Sequence, residues 1–121
     1  MLHPPTIWQS LLEVMLSFSA LVSKPGTGSG YQTLILRMMR VKTKGPVAIA
    51  RGTTFIAPQN LSLGRYVTIG AHSRIVAWSS ITIGNDFMAS DALTLNSGGH
   101  DPLTLEPRLQ PINIGSRVWC G

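Results

Sequence analysis

Three copies of one phrase constrain the fold of this chain more than any other feature of its sequence. The copies begin at Leu61, Ile81 and Ile112, and each runs aliphatic, polar, aliphatic, glycine. A phrase that recurs is the sequence signature of a repeated supersecondary unit. The starts of the first two copies set a period of 20, so we expect the chain to return to the same place in the fold at that spacing.

Within this repeat, apolar residues return at every sixth position. A period of six is neither helical nor that of a simple strand, and it is typical of the hexapeptides of a β-solenoid. Each hexapeptide makes one short strand and one turn, with its apolar side chain in a narrow core. Three such series follow one another with a shift of two residues between them: Ile49, Phe55 and Leu61; Leu63, Ile69, Ile75 and Ile81; Ile83, Ala89 and Leu95. Three hexapeptides and a two-residue corner account for the period of 20, and the sequence predicts an all-β solenoid.

The third copy of the phrase breaks the period. Continued from Ile81, the period would place this copy at position 101, but it begins at Ile112, eleven positions later. The surplus predicts a loop that leaves the solenoid at about residues 96–111. Residues 31–121 would then form the solenoid, and residues 1–30 an N-terminal extension.

The N-terminal extension has a helical pattern. Thr6 and Gln9 have the spacing of a capping box, which predicts a helix over residues 7–22. The apolar residues on one side of this helix, which we expect to be buried, are Trp8, Leu11, Leu12, Met15, Phe18 and Val22. The segment is too short to span a bilayer and lacks the charged start of a signal peptide, so docking on a neighbouring subunit and peripheral contact with a membrane both stay open. We expect a Gly/Ser/Pro-rich linker over residues 23–30. A short basic helix should follow over residues 31–40.

The charge of the chain limits the classes of partner. Lys and Arg number ten against five Asp and Glu, and five of the basic residues fall in one stretch: Arg37, Arg40, Lys42, Lys44 and Arg51. We interpret this stretch as a solvated basic face, with an anionic polysaccharide, a phosphate-bearing cofactor and a membrane surface as alternatives. Nucleic acid is not expected, because the basic residues are not interleaved with aromatics and no recognition motif is present. Cys120 is the single cysteine, so no internal disulfide can form, and we expect a small buried residue.

The predicted loop contains the best candidate for a catalytic side chain. His100 follows two glycines, which allow a ligand to approach the backbone closely. The unperturbed pKa of histidine, about 6.5, lets this type of side chain accept and return a proton near neutrality. Asp101 would either fix the tautomer of the imidazole or cap the turn.

The repeat, the loop and the segment after it together resemble a known family. The loop reads SGGHDP at residues 97–102, and the closing segment reads PINIGSRVW at residues 111–119. With the hexapeptides, these motifs resemble the hexapeptide-repeat O-acetyltransferases that act on sugars, of the colanic acid and exopolysaccharide type and the maltose and galactoside type. The resemblance covers about residues 34–121.

The resemblance implies a fold, an activity and a set of site residues. The fold is a left-handed parallel β-helix, assembled as a homotrimer with acetyl-CoA in a groove between neighbouring solenoids. His100 would be the general base that draws the proton from a hydroxyl of a sugar or polysaccharide precursor, a contribution typically of about 10² to 10⁴ in rate. Trp119 would lie near acetyl-CoA, with packing against the coil wall as the alternative. Asn96, Ser97 and Asp101 would contact the acceptor, and a role as turn residues stays open for Asn96 and Ser97. No metal is implied, and the implied location is cytoplasmic, with membrane association through the N-terminal helix left open.

Two departures from the family keep other functions in view. Gly70, Ala71 and Trp78 stand where the maltose and galactoside branch has polar and acidic residues, so a small free sugar is not the expected acceptor. The sequence also stops at Gly121, where the family continues with further coils, so we expect a fragment or truncated product. A non-catalytic β-solenoid that binds or assembles is therefore the alternative. A hexapeptide-repeat carbonic anhydrase ranks last, because the three histidines of this chain have no ligand-pair spacing.

Overall fold

The computed structural model describes residues 7–22 and 30–121, which contain two helices and thirteen short strands. The helices are α1 (Ile7–Val22) and α2 (Gly30–Met38). The strands are β1 (Lys42–Thr43), β2 (Val47–Ile49), β3 (Thr54–Ile56), β4 (Leu61–Leu63), β5 (Val67–Ile69), β6 (Arg74–Val76), β7 (Ile81–Ile83), β8 (Met88–Ala89), β9 (Thr94–Asn96), β10 (Gly98–His100), β11 (Pro107–Leu109), β12 (Ile112–Ile114) and β13 (Trp119–Cys120). The linker at residues 23–29 and the predicted cap Thr6 lie outside the described residues.

Most strands belong to three parallel sheets that the chain visits in turn. Sheet A contains β1, β4, β7 and β12, sheet B contains β2, β5, β8 and β13, and sheet C contains β3, β6 and β9. We call one passage through sheets A, B and C a coil. Strands of successive coils pair at the spacing of the repeated phrase, as in Leu61 with Ile81 and Arg74 with Thr94. The predicted period of 20 is confirmed, and the mostly parallel architecture is compatible with a solenoid.

The core is formed by the residues that the six-residue period selects. Nine of the ten predicted inward positions are buried, and Leu95 is half-buried against the same cluster. In sheet A both outer residues of a strand point inward, as Leu61 and Leu63 do on either side of the half-buried Ser62. Sheet B does the same with Val67 and Ile69 and keeps the spacing of six, so paired inward positions do not cause the two-residue shift. The shift lies in the connection from sheet C to sheet A, where Ile75 and Ile83 are eight positions apart.

The corners between sheets repeat a left-handed backbone conformation. Tyr66, Asp86 and Arg117 occupy equivalent corners and have φ values of 59°, 56° and 59°. Positive φ is uncommon outside glycine, and here it recurs at the same place in three successive coils. Gly52 and His72 occupy another such column, where a Cβ on the glycine would overlap the imidazole ring. His72 is exposed, as expected for an outward-facing coil residue.

Helix α2 covers the outer edge of strand β2 with side-chain hydrogen bonds. The side-chain amide of Gln32 donates to the carbonyl of Ile49 at 2.8 Å and accepts from its N–H at 3.2 Å. The hydroxyl of Thr33 accepts from the N–H of Val47 at 3.2 Å. An uncovered strand edge would leave these backbone groups without partners, so the amide of Gln32 takes the place of a neighbouring strand.

Helix α1 covers the outer edge of strand β3 and the corner before it with side-chain hydrogen bonds. The carboxylate of Glu13 accepts from the N–H of Phe55 at 3.0 Å, and the amide of Gln9 donates to the carbonyl of Phe55 at 2.9 Å. The hydroxyl of Ser17 accepts from the N–H of Gly52 at 3.2 Å. The two helices therefore close the first coil, as capping repeats do in solenoid proteins.

The bounds of α1 match the prediction, and only part of its apolar stripe packs on the coils. Among the side chains described for α1, Leu12 and Leu16 are fully buried, whereas Trp8, Leu11 and Phe18 of the predicted stripe are 49–66% exposed. The polar residues of α1 turn inward to bond the edge of β3, which leaves the rest of the stripe outward, and its docking on a neighbouring subunit or a membrane stays a prediction. Within the described ranges, no helix has the length and apolar character needed to cross a membrane.

Candidate active site

The predicted loop leaves the sheets as an antiparallel hairpin. Strand β10 pairs with β11, with Gly98 opposite Leu109 and His100 opposite Pro107. The register of sheet A changes accordingly, since Leu61 pairs with Ile81 but Ile81 pairs with Ile112. The surplus residues are thus expelled between β9 of sheet C and β12 of sheet A, as the sequence predicted. That they form a β-hairpin was not predicted.

Ser97 anchors the base of this hairpin. Its side chain is fully buried, and its hydroxyl lies 2.7 Å from the carbonyl of Ser79 and accepts from the Ser79 N–H at 3.1 Å. The carbonyl of Ser97 accepts from the hydroxyl of Ser79 at 2.9 Å and from the N–H of Gln110 at 2.8 Å. Beside it, Gly98 lies against the ring of Trp78, in a position that leaves no room for a Cβ. The hairpin therefore leaves the sheets from a fixed point.

Asp101 shapes the turn at the tip. One carboxylate oxygen accepts from the N–H of Leu103 at 2.9 Å and of Thr104 at 3.1 Å. The other oxygen lies 3.1 Å from the guanidinium of Arg108 on β11. The hydrogen bonds from the Leu103 and Thr104 amides lower the pKa of Asp101 below its ordinary value, because they stabilise the charged carboxylate. Of the two roles considered for Asp101, the structure shows the turn cap.

The imidazole of His100 is held by a backbone carbonyl. Its Nδ1 lies 2.9 Å from the carbonyl oxygen of Leu105. A carbonyl oxygen can only accept a hydrogen bond, so Nδ1 must hold the proton, and in the neutral ring the lone pair is then on Nε2. The His100 side chain is exposed. The arrangement leaves Nε2 as the unprotonated ring nitrogen of an exposed side chain, so it can accept a hydrogen bond.

Leu105 is the part of the site that sequence reasoning missed. Its φ is 59°, and its N–H donates to the carbonyl of Asp101 at 2.8 Å, which closes the turn. Leucine rarely adopts this left-handed conformation. Since any residue type supplies a carbonyl, no letter in the sequence signals this contact. Asp101 thus acts on His100 indirectly, through the turn that presents the Leu105 carbonyl.

The other expected acceptor contacts lie at the base of the hairpin. Asn96 is exposed at the end of β9, and its side-chain oxygen accepts from the N–H of Gly98 at 2.9 Å. Asn96 could therefore contact a ligand from the surface, whereas Ser97 is covered by its own chain. The acceptor contacts predicted for Asn96, Ser97 and Asp101 stay predictions.

Trp119 and His100 belong to different elements of the fold. It lies in β13 of sheet B, in register with Met88, and its side chain is 72% exposed. The hairpin leaves the chain between sheet C and sheet A, so it does not adjoin the strands of sheet B along the chain. Cys120, the next residue, is half-buried against the core.

In the part of the chain that the structure describes, no group of three or more His, Cys, Asp or Glu side chains could hold a metal ion. Comparison with family models, with curated proteins and with solved structures gave no match to this chain.

Proposed function

We propose that this protein is an acetyl-CoA-dependent O-acetyltransferase on a left-handed parallel β-helix, acting on a hydroxyl of a sugar or polysaccharide precursor. The observation that supports it most is the placement of His100. Its Nδ1–H is fixed by the Leu105 carbonyl, and its ring is exposed on a hairpin expelled from a hexapeptide repeat. The resemblance of the repeat, the loop and the closing segment to sugar O-acetyltransferases supplies the reaction class.

In this proposal His100 moves one proton. Nε2 accepts the proton of the acceptor hydroxyl, which makes the acceptor oxygen a better nucleophile. The imidazolium that forms keeps its Nδ1–H on the Leu105 carbonyl, and hydrogen bonds from a charged donor are stronger than those from a neutral one. Acetyl-CoA, when bound, would supply the acetyl group as a thioester, whose C–S bond would break as the new ester bond forms. The His100 imidazolium would then return its proton to the leaving sulfur, which departs as the thiol of coenzyme A. The chain's proposed contact to it is the exposed indole of Trp119, whose face offers apolar area.

The proposed assembly is a homotrimer. The resemblance implies acetyl-CoA between neighbouring solenoids, so the proposed site combines His100 of one copy with Trp119 of the next. The proposed location is cytoplasmic, where acetyl-CoA would be available.

A non-catalytic binding or assembly protein is the second candidate. The observation that favours it is the set of large apolar side chains that α1 leaves exposed, among them Trp8, Leu11 and Phe18. An exposed apolar face of this kind is where another molecule can dock.

Acetyl transfer measured with His100→Ala separates the two candidates. We expect the unmodified chain to bind acetyl-CoA in calorimetry and to transfer acetyl to a sugar-containing acceptor. His100→Ala should lower kcat by about 10² to 10⁴ while acetyl-CoA still binds. The matched control is Leu103→Ala, on the same hairpin tip with a side chain that is 92% exposed. Absence of acetyl-CoA binding at millimolar concentration, or equal transfer by the His100 variant, would refute the transferase.

A further inference from the structure

The two signs of charge are segregated along this chain. Residues 30–85 contain no Asp or Glu and seven basic residues, which are all exposed: Arg37, Arg40, Lys42, Lys44, Arg51, Arg65 and Arg74. Four of the five acidic residues lie within residues 86–106, and the fifth is Glu13. Because Glu13 turns inward to bond the N–H of Phe55, the coils nearest the helices present an almost wholly positive surface.

The helices that close the first coil present an apolar surface at the same end. On α1 the exposed apolar side chains follow a helical spacing of four, three and four, at Ile7, Leu11, Val14 and Phe18, with Trp8 beside them. On α2 they are Tyr31, Leu34 and Met38. We name these eight side chains the cap surface. Among the side chains described for α1, Glu13 alone is charged, so no charge interrupts this face.

The basic residues adjoin the cap surface through the end of α2. Arg37 lies on the exposed side of α2 between Leu34 and Met38, and its Nε donates to the hydroxyl of Thr43 at 2.8 Å. This bond ties the end of α2 to β1, where Lys42 is exposed. Arg40 follows the helix at a φ of 70° and is exposed as well. Apolar and cationic side chains therefore adjoin on the exposed side of α2 and where α2 meets the first coil.

We propose that the cap surface docks on the surface of a membrane rich in anionic lipid. The apolar side chains of α1 would enter the boundary between headgroups and acyl chains, and the basic residues of α2 and the first coil would meet the lipid phosphates. The polar side of α1 already bonds the edge of β3, so the helix would lie flat on the membrane with its apolar side down. This docking does not depend on the acetyltransferase activity.

The charges distinguish a membrane from a second copy of the chain. Two copies packed through their cap surfaces would bring two sets of exposed basic residues together, and like charges repel. An anionic lipid surface instead attracts each of them, by an amount that falls as salt is added. Charge complementarity therefore favours the lipid surface over a second copy packed through the same face.

Flotation with lipid vesicles tests the docking. We expect the chain to float with vesicles of equal parts phosphatidylcholine and phosphatidylglycerol, to float less at high salt, and to remain unbound with phosphatidylcholine alone. Lys42→Gln combined with Lys44→Gln should weaken binding roughly thirtyfold, about fivefold for each charge. Val14→Asp combined with Phe18→Asp should abolish it, because two carboxylates would have to enter the lipid boundary.

Matched controls lie at the other end of the molecule and on the hairpin. Arg117→Gln removes an exposed cation from the last coil, and Leu103→Asp places a carboxylate at an exposed apolar position. Both should bind vesicles as the unmodified chain does, and circular dichroism should be the same for all variants. The proposal is refuted if anionic vesicles do not bind the chain, or if the controls lose as much binding as the cap-surface variants. It is also refuted if size-exclusion chromatography shows an oligomer that the double variant Val14→Asp, Phe18→Asp dissociates and the other variants do not, because the cap surface would then be a contact between copies.

Discussion

Replacing Gln32 by leucine should destabilise the protein by an amount that the structure specifies. The Gln32 side chain is 2% exposed, and it is both donor to the Ile49 carbonyl and acceptor from the Ile49 N–H. Leucine has a similar volume and a similar helix propensity, so the substitution removes the two hydrogen bonds with little other change. Leaving a buried donor or acceptor without a partner costs about 1–3 kcal/mol each. With part of this offset by the apolar side chain, we expect a loss of about 3 kcal/mol.

Thermal and chemical denaturation would measure this loss. For a chain of this length, about 3 kcal/mol corresponds to a fall in Tm of about 10 °C. Hydrogen exchange at the Ile49 amide should accelerate by roughly a hundredfold, because that N–H would lose its partner on the outer edge of β2.

The matched control is the same substitution at Gln59, an exposed residue of the short 3₁₀ helix Pro58–Asn60. Gln59→Leu should change stability by less than about 0.5 kcal/mol, as is usual for surface substitutions. Equal effects at Gln32 and Gln59 would mean that the side-chain amide does not take the place of a strand. The account of α2 as the cover of the first coil would then be wrong.

Three further predictions concern the hairpin. Ser97→Ala should cost about 1–3 kcal/mol in denaturation, since it leaves a buried backbone N–H without an acceptor, and a loss below about 0.5 kcal/mol would contradict the anchoring role. Gly98→Ala should disorder the base of the hairpin, because the new methyl group would overlap Trp78. Gly99→Ala is the control: its methyl group would face open space, so amide chemical shifts should stay almost unchanged. The pKa of Asp101 is lower in the folded chain than in the unfolded chain. The ionised carboxylate therefore stabilises the fold above the ordinary pKa of 3.8, and this stabilisation is lost as the pH falls through the lower pKa of the folded chain. The side-chain carboxyl carbon resonance of Asp101 should accordingly titrate only below pH 3.8, and titration of that resonance above this pH would refute the turn cap.

The inward residues and the expelled segment followed from the sequence because they depend on local spacing. Side chains two apart share a face of a strand, so a period of six with a shift of two selects Leu61, Leu63 and Ile69 for the core without knowledge of their neighbours. The surplus before Ile112 could not fit between paired strands, so it had to leave them. His100 could be chosen as a candidate base from its residue type and its place after two glycines.

The buried face of α1 and the partner of His100 required the tertiary structure. An apolar stripe alone would bury Trp8 and Phe18, but the unpaired edge of β3 recruits the polar side of the helix, because a buried backbone group without a partner costs more than an exposed side chain. The imidazole of His100 is oriented by the Leu105 carbonyl, a backbone group that every residue type has. The sequence by itself thus determined the repeat, its core positions and the segment that leaves it, since these depend on side-chain type at fixed spacing. Only the tertiary structure decided which face closes the first coil and which atom holds the histidine, since both depend on backbone groups that folding brings within hydrogen-bond distance.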